Sequence, residues 1–416
     1  AARRAAQAGR ASGSPHGKLR LYIKDTDRFD EFVATRRGYD AAAQAAVSVD
    51  SMTKWQPVSF YRLTQVADTE ALMRRMRSAW EPIGVRGRVY VAGEGINAQV
   101  AVPDVSLDLF RKTVAAMPEL EGCYLNLDDP SDVHYMPFTK LQIKLRKQVL
   151  ADGLDKPLDW SNNGKKLSPQ EWHEALEPLV TGAEKPPILL DVRNIYESQV
   201  GLFKGAKPLD TITFRETWDA FRRELEGVEK DRLVLTYCTG GIRCEKANAY
   251  LIQEMGYNNV AALRGGIINY VQFAQSKGLG SRFTGVNHVF DQRLGQRVDG
   301  EMLASCMNCG APCDVQTDCA STHCPRPYSK RRFIQCVDCA ADFDGCCSTA
   351  CRSEHAVRTE IAGMEAEEVQ LRSSLKRARD RAASTGKRAE GEAEVRDLEG
   401  RRERLRLHKL AAESRV

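Results

Sequence analysis

Residues 233–244, LVLTYCTGGIRC, decide the fold of the central part of this chain. The segment begins with apolar residues typical of a buried strand and then reaches Cys238, Gly240 and Gly241 before a helical pattern starts. Glycines allow the tight curl that such a loop needs. A loop between a strand's C-terminal end and a helix N-terminus turns several N–H groups inward, which favours anions. We therefore predict a reactive thiolate at Cys238, with Arg243 adding a positive charge.

The residues around this loop alternate between strand and helix patterns. Three strands and three helices are expected, in the chain order 188–192, 214–225, 232–237, 244–255, 260–263 and 267–277. Alternation of this kind predicts a mainly parallel, doubly wound α/β sheet. We assign this domain to residues 187–285. Cys244, at the start of a helix, is either a resolving thiol or a packing residue.

A second α/β unit is predicted over residues 58–155. Its segments follow the order βαββαβ, which is the ferredoxin-like pattern. The last predicted strand, Thr139–Leu145, alternates apolar and polar residues. One face of that strand should therefore be apolar and the other basic.

Ten of the 13 cysteines lie between Cys306 and Cys351. Several form CxxC pairs, each able to give two thiolates to one tetrahedral ion, so we predict a metal-binding module over residues 300–355. Eight ligands would serve two structural Zn²⁺ ions, and spacing does not decide which two cysteines are spare. The candidates are Cys306, Cys309, Cys313, Cys319, Cys324, Cys336, Cys339, Cys346, Cys347 and Cys351.

The remaining segments are polar. Residues 1–20 are rich in Arg, Ala and Ser and contain no acid, which resembles an organellar transit peptide or a solvated basic arm. Residues 21–57 are an N-terminal extension, 156–186 a connector with one helix, and 356–416 a charged helical tail with too few leucines for its own core. No apolar run approaches the roughly 20 residues of a membrane span, so no membrane partner is expected.

Several of these motifs together resemble a known domain. Asp191-Val-Arg193 after a strand, the Cys238 loop and Leu263-Arg-Gly-Gly266 are similar to a rhodanese domain. The longer string at 237–247, YCTGGIRCEKA, with Gly93-Glu-Gly-Ile-Asn97 in the first domain, is more specific. It resembles the bacterial tRNA uridine 5-hydroxylase (TrhO) family of rhodanese-domain proteins.

This resemblance implies that the protein hydroxylates the wobble uridine of tRNA at C5 with dioxygen as co-substrate. Cys238 would be the catalytic nucleophile or persulfide, with Arg243 beside it. On chemical grounds we hypothesise that sulfur adds to C6 and makes C5 electron-rich. No flavin, haem or nucleotide motif is seen. The other residues expected at the active-site loop are Thr239, Gly240, Gly241, Ile242, Asp191 and Arg193.

Basic residues are the expected tRNA contacts, because phosphates dominate the affinity of proteins for nucleic acids. One group lies in the first domain, and the other lies in a basic loop of the cysteine module. The alternative for that loop is a solvated basic segment without a role in RNA binding. These residues are Arg86, Arg88, Lys140, Lys144 and Arg146, together with Lys330, Arg331 and Arg332.

Two other functions remain open. The charged extensions and the basic loop are also compatible with a structural RNA-binding subunit of an organellar ribosome, held by ribosomal RNA and proteins. A generic sulfurtransferase is the third hypothesis, although the first domain and the cysteine module exceed what sulfur transfer needs. The Arg-rich start favours the mitochondrial matrix over the plastid stroma.

Overall fold

The computed structural model describes residues 54–128, 138–289, 295–326, 331–384 and 388–415. These residues form two compact units. The first is built from residues between 54 and 305 together with 312–314, and the second from 306–311 and 315–415. No helix among the described residues is long and apolar enough to span a membrane. The predicted α/β multidomain class, with charged helices at the C-terminal end, is confirmed.

The first domain of the first unit has one five-stranded sheet, in the order β4-β1-β3-β2-β5. Its elements are β1 (Trp55–Leu63), α1 (Thr69–Trp80), β2 (Arg86–Ala92), β3 (Gly95–Pro103), α2 (Leu107–Ala115), β4 (Asn126–Leu127) and β5 (Leu141–Leu145). Helix α1 begins after Asp68, whose side chain accepts a hydrogen bond from the Ala71 N–H at 2.8 Å. Capping of this kind satisfies one of the free donors of a helix start.

The last strand of the ferredoxin-like pattern differs from the prediction. β1 pairs antiparallel with β3 on one side, and on its other side with the short β4, at Asn126–Leu127. The predicted segment forms β5 instead, which pairs parallel with β2 at the opposite edge of the sheet. Alternating residues reveal which face of a strand is apolar, but they do not identify its neighbour, so the sequence could not place this strand.

The two faces of this sheet differ. Helices α1 and α2 cover one face, where Leu72, Met76 and Phe110 pack on strand residues such as Val89 and Ile143. The opposite face carries the alternate strand residues, which are mostly polar or basic. That second face contributes to the pocket described below.

The second domain contains a five-stranded sheet in the order β6-β11-β10-β7-β9, in which all pairs are parallel. A smaller three-stranded sheet has the order β13-β12-β8. The elements of this domain are β6 (Lys165–Leu167), α3 (Pro169–Ala175), α4 (Glu177–Thr181), β7 (Ile188–Asp191), α5 (Ile195–Ser198), β8 (Gly201–Phe203), β9 (Lys207–Pro208), α6 (Thr217–Glu224), β10 (Val234–Tyr237), α7 (Ile242–Gln253), β11 (Val260–Leu263), α8 (Gly266–Lys277), β12 (Phe283–His288) and β13 (Gly295–Arg297). This arrangement confirms the predicted doubly wound parallel sheet.

The predicted connector at residues 156–186 is not a simple linker. It supplies β6, which pairs with β11 at the edge of the sheet, and two helices instead of one. Trp172 of α3 is fully buried in the core beside Phe203 and Tyr237. The three-residue strand is too short to be recognised from hydrophobic periodicity, which explains the difference.

The second unit contains a small two-stranded sheet and three helices. These elements are β14 (Gln316–Asp318), β15 (Arg332–Ile334), α9 (Val337–Asp342), α10 (Thr349–Ser384) and α11 (Arg388–Glu413). Helices α10 and α11 pack along a narrow apolar seam that includes Leu371, Leu375 and Leu398. The leucines, too sparse for a core within one helix, become sufficient for a hairpin because each helix supplies half of the seam.

Candidate active site

Cys238 follows the last residue of β10, and helix α7 begins four residues later at Ile242. Gly241 has φ of +104°, a conformation that favours glycine, and its N–H donates a hydrogen bond to Cys238 Sγ at 3.0 Å. The sulfur is thus held inside the curl of its own loop. The predicted loop between strand and helix is present, with an N–H group aimed at the thiol.

The carbonyl groups of this loop are held by helix α8. The N–H groups of Ile267 and Ile268 donate to the carbonyls of Cys238 and Thr239, at 3.0 and 3.3 Å. Gly266 has φ of +66°, and a Cβ added there would lie 2.4 Å from the Thr239 carbonyl oxygen. This close approach explains why the motif Leu263-Arg-Gly-Gly266 ends in glycine.

The loop stabilises the charged form of the thiol. Burial alone would raise the pKa of Cys238. A hydrogen bond from Cys244, the charge of Arg243 and the N–H groups of Gly241 and Arg243 outweigh burial and lower that pKa to about 6. Burial and the neighbouring Cys238 raise the pKa of Cys244 well above its usual value. Cys238 is therefore the thiolate of the pair and Cys244 its neutral hydrogen-bond donor.

Arg243 is held by a carboxylate that sequence reasoning did not select. Its guanidinium donates two hydrogen bonds to the carboxylate of the fully buried Glu197, with N–O distances of 2.6 and 2.8 Å. Burial raises the pKa of Glu197, but Arg243 outweighs burial and lowers it to about 2. Arg243 also donates to Thr239 Oγ1 at 3.3 Å. The pair fixes the back of the loop, where the charge of Arg243 also helps to lower the pKa of Cys238.

Asp191 and Arg193 lie in the core rather than at the site. Both are fully buried and bind each other, with a closest N–O distance of 2.5 Å. Ser198 and Tyr237 also donate hydrogen bonds to Asp191. Among the described residues, the pocket wall contains neither member of this pair. Their predicted role at the active-site loop therefore stays a prediction.

Cys238 opens into a pocket shared by both domains of the first unit. The rhodanese-like domain contributes Cys238, Thr239, Gly240, Ile242 and Arg243, which were predicted, and Ile268 and Val289. The first domain contributes the uncovered face of its sheet. Its lining residues there include Ser59, Tyr61, Asn97 and Gln99. A ligand in this pocket would contact both domains, which the sequence alone did not indicate.

Glu245, next to the predicted loop, joins the two domains beside the pocket. Its carboxylate accepts a hydrogen bond from the Tyr61 hydroxyl at 2.7 Å and an ion pair from Lys166 at 2.8 Å. Asn163 donates to its other oxygen. Burial and the nearby Glu245 raise the pKa of Tyr61 well above its usual value, so its hydroxyl stays protonated.

Lys246 forms a second connection and is fully buried. Its ammonium lies 2.8 Å from Glu94 of the first domain and 2.6 Å from Asp152, and it donates to the Leu150 carbonyl at 3.0 Å. Glu94 belongs to Gly93-Glu-Gly-Ile-Asn97. The two motifs on which the family resemblance depends therefore meet at this ion cluster, although 152 residues separate them.

The predicted RNA-binding residues divide between the units. In the first domain Arg88, Lys140, Lys144 and Arg146 are exposed and Arg86 is half-buried. In the second unit Arg332 is paired with Asp318 at 3.1 Å, and Arg331 donates to the Thr322 carbonyl. Lys330 lies outside the described residues. Among the predicted residues that the structure describes, the exposed ones therefore all belong to the first domain.

Eight cysteines of the second unit form two groups that could each hold a metal ion. Within each group the four Sγ atoms lie within 4.8 Å of one another. Several Sγ pairs are 3.7 or 3.8 Å apart, close to the about 3.8 Å expected for thiolates around one zinc ion with Zn–S bonds of about 2.3 Å. The groups are Cys306, Cys309, Cys336 and Cys339, and Cys319, Cys324, Cys347 and Cys351.

Backbone N–H groups point at these sulfurs, as expected around thiolates. Cys336 N–H donates to Cys306 Sγ at 3.3 Å, and Cys347 N–H donates to Cys319 Sγ at 3.4 Å. Of the ten predicted ligands, Cys313 and Cys346 lie outside both groups found among the described residues. The donor set fits two tetrahedral, closed sites, which is the structural type.

Three family models match successive parts of the chain. The UPF0176 acylphosphatase-like domain matches residues 55–149, the rhodanese-like domain 172–272, and the rhodanese C-terminal model 284–352. A solved rhodanese-like domain from Anabaena sp. is 22% identical over 29% of this chain and 78% of that chain, with a TM-score of 0.22. The fold assignment rests on the strand order and the family models.

Curated relatives agree with these matches over most of the chain. The tRNA uridine(34) hydroxylase of Leptospira interrogans is 39% identical over 297 residues, which are 71% of this chain and 77% of the relative. The enzyme of the same name from Shigella sonnei is 40% identical over 314 residues, 74% of this chain and 85% of the relative. The chain belongs to the tRNA uridine(34) hydroxylase family.

Proposed function

We propose that this protein hydroxylates the wobble uridine of tRNA at C5, with Cys238 as the nucleophile. The observation that carries the proposal is a thiolate with a pKa of about 6 inside a pocket that two domains share. The names of its relatives supply the reaction and the substrate class. A nucleobase is flat and partly apolar, and it suits a pocket with apolar walls and a few polar groups.

The chemistry begins with addition of the Cys238 thiolate to C6 of uracil, which forms a C–S bond and places electron density on C5. C5 then attacks dioxygen and, with one proton, forms a hydroperoxide. An external thiol reductant cleaves the O–O bond, so that two thiols become a disulfide and one water leaves. Loss of the C5 proton then breaks the C–S bond, releasing the thiolate and 5-hydroxyuridine.

The residues around Cys238 support the first and last of these steps. The Gly241 N–H and the Cys244 thiol stabilise the thiolate both before addition and as leaving group. Glu197 and Arg243 fix the loop that aims the sulfur into the pocket. A persulfide on Cys238 would use the same contacts, because it is also an anionic sulfur nucleophile.

The most direct test is nucleoside mass spectrometry of tRNA from cells that carry the wild-type protein or the Cys238→Ser variant. We expect 5-hydroxyuridine to disappear with Cys238→Ser and to persist with Cys123→Ser, a matched change outside the pocket. Equal 5-hydroxyuridine in all three strains would refute the role of Cys238. Labelling with ¹⁸O₂ would test dioxygen directly, because the hydroxyl oxygen must then carry the label.

For the second unit we propose two structural zinc ions, one in each group of four cysteines. The ions would hold together segments that share little apolar core, as expected for a small module. Purified protein should contain two zinc ions per chain by elemental mass spectrometry. Cys309→Ser should retain one, whereas Cys313→Ser and Cys346→Ser should retain both; loss of zinc from the last two variants would contradict the ligand assignment.

We propose an organellar location, preferably the mitochondrial matrix, on the basic composition of residues 1–20. Fusion of these residues to a fluorescent protein should direct it to mitochondria. Co-sedimentation with organellar ribosomes, without 5-hydroxyuridine formation, would instead favour a ribosomal subunit. Rapid thiosulfate:cyanide sulfur transfer that requires Cys238 but not tRNA would favour a sulfurtransferase.

A further inference from the structure

Four polar side chains form one row across the sheet of the first domain. The strand register pairs Ser59 with Gln99, Gln99 with Arg88, and Arg88 with Gln142, so the row crosses four strands from β1 to β5. These residues alternate with core residues such as Val89, so they belong to the face that the helices leave uncovered. Arg88 is exposed and the other three are half-buried.

The row begins at the loop that carries the thiolate. Ser59 Oγ lies only 3.7 Å from the position that a Cβ on Gly240 would occupy. Ser59 and Gln99 also line the same pocket as Cys238. The row therefore leads away from the reacting sulfur toward the exposed edge of the sheet.

None of these four side chains makes a hydrogen bond or ion pair within the described ranges of the chain. The row contains an amide at Gln99, a guanidinium at Arg88, a second amide at Gln142 and the hydroxyl of Ser59. Polar groups in a folded protein normally find a partner in the protein or in water. A row of accessible donors and acceptors beside an active-site pocket is therefore suited to a polar ligand.

The charge of this sheet identifies the class of ligand. Strands β1, β2, β3 and β5 contain no acidic residue, and the face that carries the row contains Arg86, Arg88 and Lys144. Beside the row, the Arg146 guanidinium lies 5.2 Å from the centre of the Tyr90 ring. A basic surface with amides and an arginine–aromatic pair has the chemistry that binds phosphates and unpaired bases of RNA.

We propose that this row, Ser59–Gln99–Arg88–Gln142, binds the single-stranded nucleotides directly next to the target uridine. The proposal rests on the proposed function and specifies how the substrate crosses the enzyme. Three strand spacings of about 4.8 Å give a path of about 14 Å, enough for neighbouring nucleotides of an unpaired loop. Arg88 contacts a backbone phosphate, and the two glutamines contact base edges.

Binding is tested on the whole protein carrying Cys238→Ser, so that no reaction interferes. The probes are a fluorescein-labelled single-stranded RNA heptamer with a central uridine and the corresponding trimer. Arg88→Ala should weaken binding of the heptamer about tenfold and reduce its salt dependence by about 0.7 in the log–log slope, as for one lost phosphate contact. Gln142→Ala should weaken the heptamer and leave the trimer unchanged.

Arg111→Ala provides the matched control. Arg111 is exposed on α2, which packs on the opposite face of the sheet, and it pairs with exposed Asp108 at 3.6 Å. It should retain the affinity and slope of its parent. Equal RNA affinities of the Arg88 and Arg111 variants would overturn the proposal. An Arg88→Ala variant with unchanged RNA affinity but altered binding of an acidic peptide would also overturn it.

This test separates the proposal from the proposed function. The activity test uses protein that retains Cys238. If Arg88→Ala and Gln142→Ala leave its hydroxylation of tRNA unchanged, the proposed role of the row is overturned and the proposed function is not. Absence of hydroxylation, with RNA binding that still depends on Arg88, would support the row and refute the reaction. Unchanged melting temperatures of both variants would show that altered binding does not reflect unfolding.

Discussion

Lys246 provides a sharp test of how the two domains of the first unit are held together. Its ammonium is fully buried between Glu94 and Asp152, whose side chains are 17% and 1% exposed. Replacing Lys246 by Met would leave two carboxylates facing each other with no cation. Removal of one partner from a buried ion pair costs about 3–5 kcal/mol, because the remaining charge is uncompensated.

For a domain of this size, each kcal/mol changes the melting temperature by about 2–4 °C, so Lys246→Met should lower it by about 6–20 °C. Differential scanning calorimetry measures this change. Lys204→Met, at an exposed lysine of the same domain, is the control and should change the melting temperature by no more than about 2 °C.

A triple variant distinguishes charge from packing. Glu94→Gln and Asp152→Asn, combined with Lys246→Met, remove all three charges and retain side-chain oxygens that can accept the hydrogen bonds of Val149 and Leu154. Replacement of a whole buried ion cluster is often neutral, so the triple variant should recover most of the lost stability. A single variant that melts within about 2 °C of wild type, or a triple variant no better than the single, would refute the argument.

Three further predictions concern the pocket. Because the pKa of Cys238 is lowered to about 6, the thiolate-dependent rate should be constant above about pH 7 and fall about tenfold per pH unit below about pH 5. A pH–rate profile that instead rises near the ordinary thiol pKa of 9.0 would contradict the loop's role. Gly266→Ala should reduce kcat/KM by about a hundredfold in tRNA hydroxylation assays, because its Cβ would displace the Thr239 carbonyl; near-normal activity would show that the loop tolerates the shift. Tyr61→Phe removes one donor from buried Glu245 and should destabilise the protein by about 1 kcal/mol in denaturant titrations, whereas Tyr124→Phe, at an exposed hydroxyl, should have a smaller effect.

The features that the sequence predicted correctly depend on local patterns. The loop at Cys238 could be located because a buried strand, two glycines and a helix start follow one another within 12 residues, 233–244. The same holds for the parallel sheet around it, whose strands and helices alternate. Cysteine spacing likewise predicted pairs that could bind metal, although only the fold showed that Cys313 and Cys346 lie outside both groups of the described residues.

The features that the sequence missed depend on distant partners. Glu245 and Lys246 look like ordinary solvated charges on a helix, since their partners Tyr61 and Glu94 are 184 and 152 residues away. The neighbour of strand β5 could not be predicted for the same reason, because alternation does not encode a neighbour. Glu197 was passed over because nothing near it in sequence indicates that Arg243 binds it.

The composite pocket also determines when this chain becomes reactive. Its walls come from segments as far apart as Ser59 and Val289, so the pocket cannot exist until the two domains have docked. Contacts of such large sequence separation form late in folding and are lost early when docking loosens. A chain whose domains are not docked therefore lacks the surface that would select a substrate for Cys238. Degradation of undocked chains would then protect the cell from misdirected thiol chemistry as well as from aggregation.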